Sequence, residues 1–352
     1  MWVFIAQNFL YLIRQRGVFL AVWGGLSLCG FVYVAPPFVP LLMAKDLSTG
    51  TFARDGVPRE GGLTRCWTEE QLNVRLNEWQ ARRGRPTYSV SKLKGHKLPA
   101  RSPIAVPYQG SIRRVKLPPG VKLLALTFDL CEGLFEIAGY DGRVIDYLRA
   151  HNVPATLFVG GKWLMSHPER AEQLMMDPLF ELGAHGWSHR NFRRLSGPSV
   201  RRSLQLTAQA FQHVQQSLYS RTCVQAGNRE PAQNPLRLFR FPYGTCSPAA
   251  LRAVNEFGQM AIQWDVVSGD PAFGQTARRI ARAVLTRVRP GSIVVMHANG
   301  RGWHTAKALP LIVPKLRAIG YRFVTVSNLL NAGQPLTVKQ CYENRPGDNK
   351  HY

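Results

Sequence analysis

Val121-Lys122-Leu123-Leu124-Ala125-Leu126-Thr127-Phe128-Asp129-Leu130-Cys131-Glu132 is the stretch on which the fold turns. Between residues 123 and 128 only Thr127 is polar, the pattern of a strand buried on both faces. The run then stops on acidic side chains, Asp129 and Glu132. Residues 122–128 are therefore read as a buried strand, and the pattern then repeats. Helices are expected at 141–150, 168–176, 198–219, 248–256, 276–288 and 305–319. Strands are expected at 155–159, 180–184, 238–241, 260–264, 292–296 and 322–326. Strand alternating with helix implies a parallel sheet with right-handed crossovers, and either a closed barrel or an open doubly wound sheet fits.

The polar residues fall at particular places on this pattern. His185 and His189 follow the strand at 180–184, Arg240 and Tyr243 stand at the end of 238–241, Asp265 and Asp270 follow 260–264, and His297 follows 292–296. With Asp129 and Glu132, these lie at the carboxyl ends of strands, the edge where parallel α/β folds build their sites.

Outside this region the chain reads differently. Residues 17–44 carry no charge, preceded by Arg14 and Arg16. That is long enough for a bilayer span, which needs about 20 apolar residues, with a basic flank on the cytoplasmic side. A cleavable signal is the runner-up, since neither Ala35 nor Ala44 makes a good small-x-small site. Either reading places the remainder outside the cytoplasm. Residues 45–120 are rich in Arg, Pro and Gly and read as a spacer or small appendage. Their one expected helix, at 68–82, has Thr68 as its N-cap. Residues 333–352 read as a polar tail that wraps the surface or frays.

The net charge of +24 over 352 residues favours anionic partners without naming one. No zinc-finger spacing or RNA-binding aromatic pattern accompanies the scattered arginines, so a nucleic-acid partner is not expected. Six cysteines include no CxxC pair, and one or two disulfides suit an exported domain.

The constellation resembles the polysaccharide deacetylase family, carbohydrate esterase family 4, over residues 121–330 and in the family's motif order. The resemblance implies a distorted (β/α)7 barrel in a catalytic domain at 121–332, behind an anchor at 1–44. It also implies one divalent metal, zinc or else cobalt or nickel, and hydrolysis of acetyl groups from an N-acetylhexosamine polysaccharide. O-deacetylation, small-amide hydrolysis and a tethered glycan-binding protein with a decayed metal site stand as alternatives. In family terms His185 and His189 bind the metal, Asp129 is the general base, His297 the general acid, and Arg240 holds the base. Tyr243 offers its backbone N–H to the oxyanion. Asp270, with Asp265 as runner-up, partners His297. Neutral imidazoles around an open position suit zinc and the activation of water.

The departures are specific. Leu130 stands where the family has a metal-binding aspartate, Gly186 where Ser or Thr is usual, Ala184 for Asn and Pro271 for Trp. Glu132 has the chemistry to replace the missing carboxylate ligand, with Asp129 itself or Glu136 as alternatives. Trp264 and Trp303 are candidates for an apolar wall at the acetyl or sugar face. Cys131 and Cys246, each just past a site residue, are a candidate disulfide.

Overall fold

The computed structural model of the protein describes residues 63–84, 88–93, 95–96, 98, 101–225 and 236–342. The expected anchor at 17–44 lies outside the described residues. Among those described, no helix is long and apolar enough to cross a membrane.

One sheet organises the domain. Its strands in chain order are β1 (Ser111–Lys116), β2 (Leu123–Leu130), β3 (Ala155–Val159), β4 (Phe180–Ala184), β5 (Leu238–Phe239), β6 (Met260–Ile262), β7 (Val266–Val267), β8 (Ile293–His297), β9 (Arg322–Phe323) and β10 (Gln334–Val338). Hydrogen-bonded neighbours run β10-β1-β6-β5-β4-β3-β2-β8-β7, with β9 on the first residues of β2. Every pairing is parallel except that of β10 with β1. The connecting helices are α1 (Gly142–Ala150), α2 (Gly161–Ser166), α3 (Pro168–Met176), α4 (Gly197–Tyr219), α5 (Pro248–Glu256), α6 (Ala277–Leu285) and α7 (Thr305–Ala318).

β2 shows how the sequence sets the two faces. Side chains alternate across a strand. Leu124, Leu126, Phe128 and Leu130 join the larger core, which includes the helix residues Val144, Ile145, Leu309 and Ile312. Leu123 and Ala125 join a second core with Ile112, Phe158, Leu238, Ile262, Ile293 and Val295. Those residues come from six strands of one sheet, so the sheet must curl around them. The expected seven-stranded barrel is thus a longer, curled sheet whose strand pairing runs as an open path. Across the gap, the Val115 N–H donates to Gly291 O at 3.0 Å, and Arg114 forms an isolated bridge with Ser292. Thr127 and Asp129 continue the inner face of β2.

Four expectations need correction. The helix expected at 68–82 is a short turn, Glu69–Leu72, opened by a capping box between Thr68 and Gln71. Arg170 donates to the carbonyls of Gln71, Leu72 and Asn73, and the Val74 N–H donates to Asp146. Long-range partners thereby take the backbone groups that a longer helix would need. The strand expected at 322–326 ends at Phe323, and α8 (Val326–Asn331) begins where Thr325 caps it. The spacer and the tail supply β1 and β10, so the sheet outreaches the expected domain at both ends. Lastly, among the described residues the disulfides are Cys66–Cys223 and Cys246–Cys341, leaving Cys131 a free, buried thiol. Cys246 turns toward the C-terminal segment because Thr245 bridges Tyr342 there, and the Tyr342 N–H donates to Gly244 O at 2.9 Å.

Candidate active site

The carboxyl ends of β2, β4, β5 and β8 bring the expected residues together. Asp129 lies next to last in β2 and is in register with His297, the last residue of β8. His185 follows β4, and its N–H donates to Val159 O at 2.9 Å. Arg240 follows β5, and its N–H donates to Ala184 O at 2.8 Å. Neighbouring strands lie about 4.8 Å apart, which sets Asp129 beside His297 and His185 beside Arg240, and the curl of the sheet brings β2 and β5 together across β3 and β4.

Arg240 holds the centre. Its guanidinium donates to Asp129 Oδ1 at 2.9 Å and to Thr127 Oγ1 at 2.7 Å, and it also donates to the carbonyls of Ile262 and Gln263. It lies over the Phe158 ring at 4.0 Å. The group is fully buried, and a buried charge is tolerable when it is paired and its donors are used. Burial pushes the Asp129 carboxyl up, but His185, Arg240 and His297 together hold it below the usual aspartate value.

On one side of Asp129 stands the His297 station. His297 Nδ1 is 2.9 Å from Asp270 Oδ1, and the His297 N–H donates to Asp270 Oδ2 at 2.7 Å. Ser268 donates to Asp270 Oδ1 at 2.9 Å and Thr305 to Oδ2 at 2.6 Å. Burial pushes the His297 pKa down, yet the Asp270 charge and hydrogen bond outweigh it, and the net shift is upward. Asp265 sits elsewhere, accepting from the Ile293 N–H, Ser292 and Arg289.

On the other side lie the paired histidines. His185 Nδ1 is 2.9 Å from Arg240 O. A carbonyl can only accept, so Nδ1 carries the proton and Nε2 presents its lone pair. Nε2 is buried without a hydrogen-bond partner, 3.6 Å from Asp129 Oδ2. Burial, the largest influence, lowers the His185 pKa and favours the neutral ring. The His189 ring lies 5.3 Å from that of His185 and 4.4 Å from that of Tyr243. His189 and Tyr243 have φ of 51° and 61°. Such backbone costs about 1–3 kcal/mol in a residue with a Cβ and tends to gather at functional sites. Gly186 has φ of 71°, which accounts for glycine between the histidines' strand and loop.

The third member beside the histidines is Cys131. Its Sγ and one ring nitrogen each of His185 and His189 lie within 4.8 Å of one another. Glu132 is placed away from this group. It accepts from Ser166 at 3.0 Å and from the Ala138 N–H at 3.2 Å, with Lys162 Nζ at 3.5 Å. Burial, the largest influence, raises its pKa. Glu136 pairs with Arg301. Trp264 is buried beneath Arg240 and against Tyr342, whereas Trp303 is about half exposed beside Asp270, where its backbone N–H donates to Asp270 O.

Sequence reading did not single out Thr127, Ser268, Thr305 or Cys131 as site residues. The signal for Cys131 was the period of two: Leu130 takes the helix-facing side, and the next residue returns to the side of Asp129. Thr127 carried the same signal, two residues before Asp129, whereas Ser268 and Thr305 lie far apart along the chain and had none.

Comparisons with known proteins bear on the family. The family model described as polysaccharide deacetylase matches residues 116–262. The chain is 27% identical over 192 residues to a chitooligosaccharide deacetylase of Azorhizobium caulinodans, covering 51% of this chain and 82% of that one. It is 30% identical over 224 residues to a peptidoglycan-N-acetylglucosamine deacetylase of Listeria monocytogenes, covering 63% of this chain and 41% of the relative. Among solved structures, a CE4-family pseudoenzyme from Bacillus anthracis aligns with a TM-score of 0.51 at 25% identity, over 63% of this chain and 69% of that one.

Proposed function

The chain belongs to the polysaccharide deacetylase family, and from that premise we propose that it is a metal-dependent hydrolase removing acetyl groups from an N-acetylglucosamine-containing glycan. One observation carries the metal dependence. His185 presents an unprotonated, buried Nε2 toward Asp129 with no hydrogen-bond donor between them. A lone pair facing a carboxylate in a dry site is costly unless a cation lies nearby. His185 and His189 would hold that cation, and the imidazole donors suit zinc, cobalt or nickel. Bound there, it supplies Lewis acidity toward the acyl carbonyl and toward water.

The protein's own residues do the proton work. Asp129, ionised and fixed by Arg240, takes a proton from the attacking water as its oxygen adds to the acetyl carbon. His297, kept protonated by Asp270, gives its proton to the departing nitrogen. The C–N bond breaks, and acetate and a free amine leave. The Tyr243 N–H sits on a strained turn beside His189 and is suited to receive the developing oxyanion.

The substrate reading rests on the relatives named above, a chitooligosaccharide deacetylase and a peptidoglycan deacetylase. Two disulfides support an oxidising compartment outside the cytoplasm, and the uncharged run at 17–44 supports attachment to the membrane. The excess of basic residues suits an anionic envelope glycan. A glycan-binding protein without turnover is the second reading, favoured by Leu130 at the family's aspartate position and by the likeness to a pseudoenzyme. Acetate release from peptidoglycan and chitooligosaccharides, with zinc, cobalt or nickel supplied, decides between them. Wild type should release acetate, and Asp129→Asn should be slower by about 10³-fold with its metal retained. No release by wild type from any N-acetylated glycan would reject the deacetylase reading in favour of the binding one.

A further inference from the structure

We propose that Cys131 is the third protein ligand of the metal centre, a thiolate in the role that a carboxylate fills elsewhere in the family. The inference rests on the metal-dependent reading above and deepens it.

Of the nearby carboxylates, Glu132 and Glu136 are engaged elsewhere and Asp129 is held by one oxygen. Asp129 gives one oxygen to Arg240, Glu132 is used by Ser166, Lys162 and the Ala138 N–H, and Glu136 pairs with Arg301. Leu130 lies in the helix-facing core and has no donor atom. Cys131, one residue on, returns to the inner side, and its sulfur is clustered with the two imidazoles. The unpartnered, fully buried Nε2 of His185 belongs to the same cluster and independently marks the space as a cation site.

The surroundings of the sulfur fit a ligand. Asn299 Nδ2 donates to Cys131 Sγ at 3.3 Å and to Cys131 O at 2.8 Å. Its amide thus fixes the backbone and donates to the sulfur, the arrangement by which an outer group orients and stabilises an anionic ligand. Asn299 is itself fully buried. Both described disulfides exclude Cys131. One thiolate with two imidazoles is a donor set for zinc, leaving a fourth position open for chemistry. It also selects softer ions than a carboxylate would. With sulfur as third ligand, Asp129 is spared for proton transfer.

Cobalt provides a readout apart from activity. Full-length protein stripped of metal and loaded with cobalt(II) should show visible ligand-field bands and an intense near-ultraviolet sulfur-to-cobalt charge-transfer band. Cys29→Ser should keep that band. Cys131→Ser should lose it and should weaken zinc binding by more than the ~100-fold ceiling for an outer-shell change. Cys131→Asp should lose the charge-transfer band while keeping the ligand-field bands, which would show that the variant is folded and the histidines still bind. Asn299→Ala should shift the band and weaken zinc binding by about 10-fold. Ligand-field bands without charge transfer in wild type, or a charge-transfer band that survives Cys131→Ser, would overturn the thiolate while leaving metal dependence intact. No cobalt spectrum in wild type would overturn both.

Discussion

The two sides of Asp129 are finished in different ways. On the His297 side every demand is met by the protein: Asp270 receives Ser268, Thr305 and both the ring and the backbone N–H of His297. On the His185 side the framework is equally rigid, with Nδ1 fixed on Arg240 O, yet Nε2 is left bare. Buried polar atoms are normally satisfied. On the function proposed above, the side completed within the chain holds a proton, and the side left one partner short takes the cation.

Four experiments test this contrast. Removing the metal should have the largest effect. Chelation is expected to reduce acetate release to background, and zinc, cobalt or nickel to restore it. The circular dichroism spectrum should barely change, because β2, β4 and β5 place the ligands without the ion. Retained turnover in fully stripped protein would erase the distinction between the two sides.

Next comes the complete side. Asp270→Asn removes the charge that raises the His297 pKa, so burial, which lowers it, prevails. The acid must be protonated to act, and activity falls as pH rises through that pKa. The alkaline limb of the rate profile should therefore move to lower pH, and the rate at neutral pH should drop by about 10²-fold. An unmoved limb would mean that Asp270 serves only to position the ring.

Glu132 tests the boundary of the metal side. Its partners are Lys162, Ser166 and the Ala138 N–H, so Glu132→Gln should cost about 3 kcal/mol of stability, as breaking a buried pair does, while the bound zinc stays stoichiometric. Zinc loss from a folded Glu132→Gln would make Glu132 a ligand after all. The smallest effect belongs to Tyr243→Phe. The Tyr243 ring is about half exposed, and the proposed role uses only its backbone N–H. The rate should therefore change by less than about 3-fold, less than 1 kcal/mol. A large loss would assign work to the hydroxyl.

Much of the domain was legible in the residues. The strands at Ala155–Val159 and Phe180–Ala184 and the helices at Pro168–Met176 and Pro248–Glu256 stand where periodicity placed them. In Pro248–Glu256 the buried Ala250, Leu251 and Val254 are all apolar, and in Pro168–Met176 the apolar Ala171, Leu174 and Met175 carry the period although Arg170, Glu172 and Gln173 are buried beside them. β1 and β10 escaped notice because Ser111–Lys116 reads Ser-Ile-Arg-Arg-Val-Lys and Gln334–Val338 reads Gln-Pro-Leu-Thr-Val, with a proline inside it. Neither shows a strand without its partner. The helix expected at 68–82 failed for the converse reason. Its local propensity was adequate, but Arg170, about a hundred residues away, claimed its carbonyls.

Strand period and chain order alone put acids, histidines and an arginine at the ends of parallel strands. Which of them touch was decided only in the folded chain. Asp270 rather than Asp265 meets His297, Cys246 joins Cys341, and Cys131 rather than Glu132 lies beside the histidines. The physical reason is that a strand's period fixes the face a side chain takes, while its partner arrives from a segment of any separation. Only the curl of the sheet brings those segments within hydrogen-bonding reach.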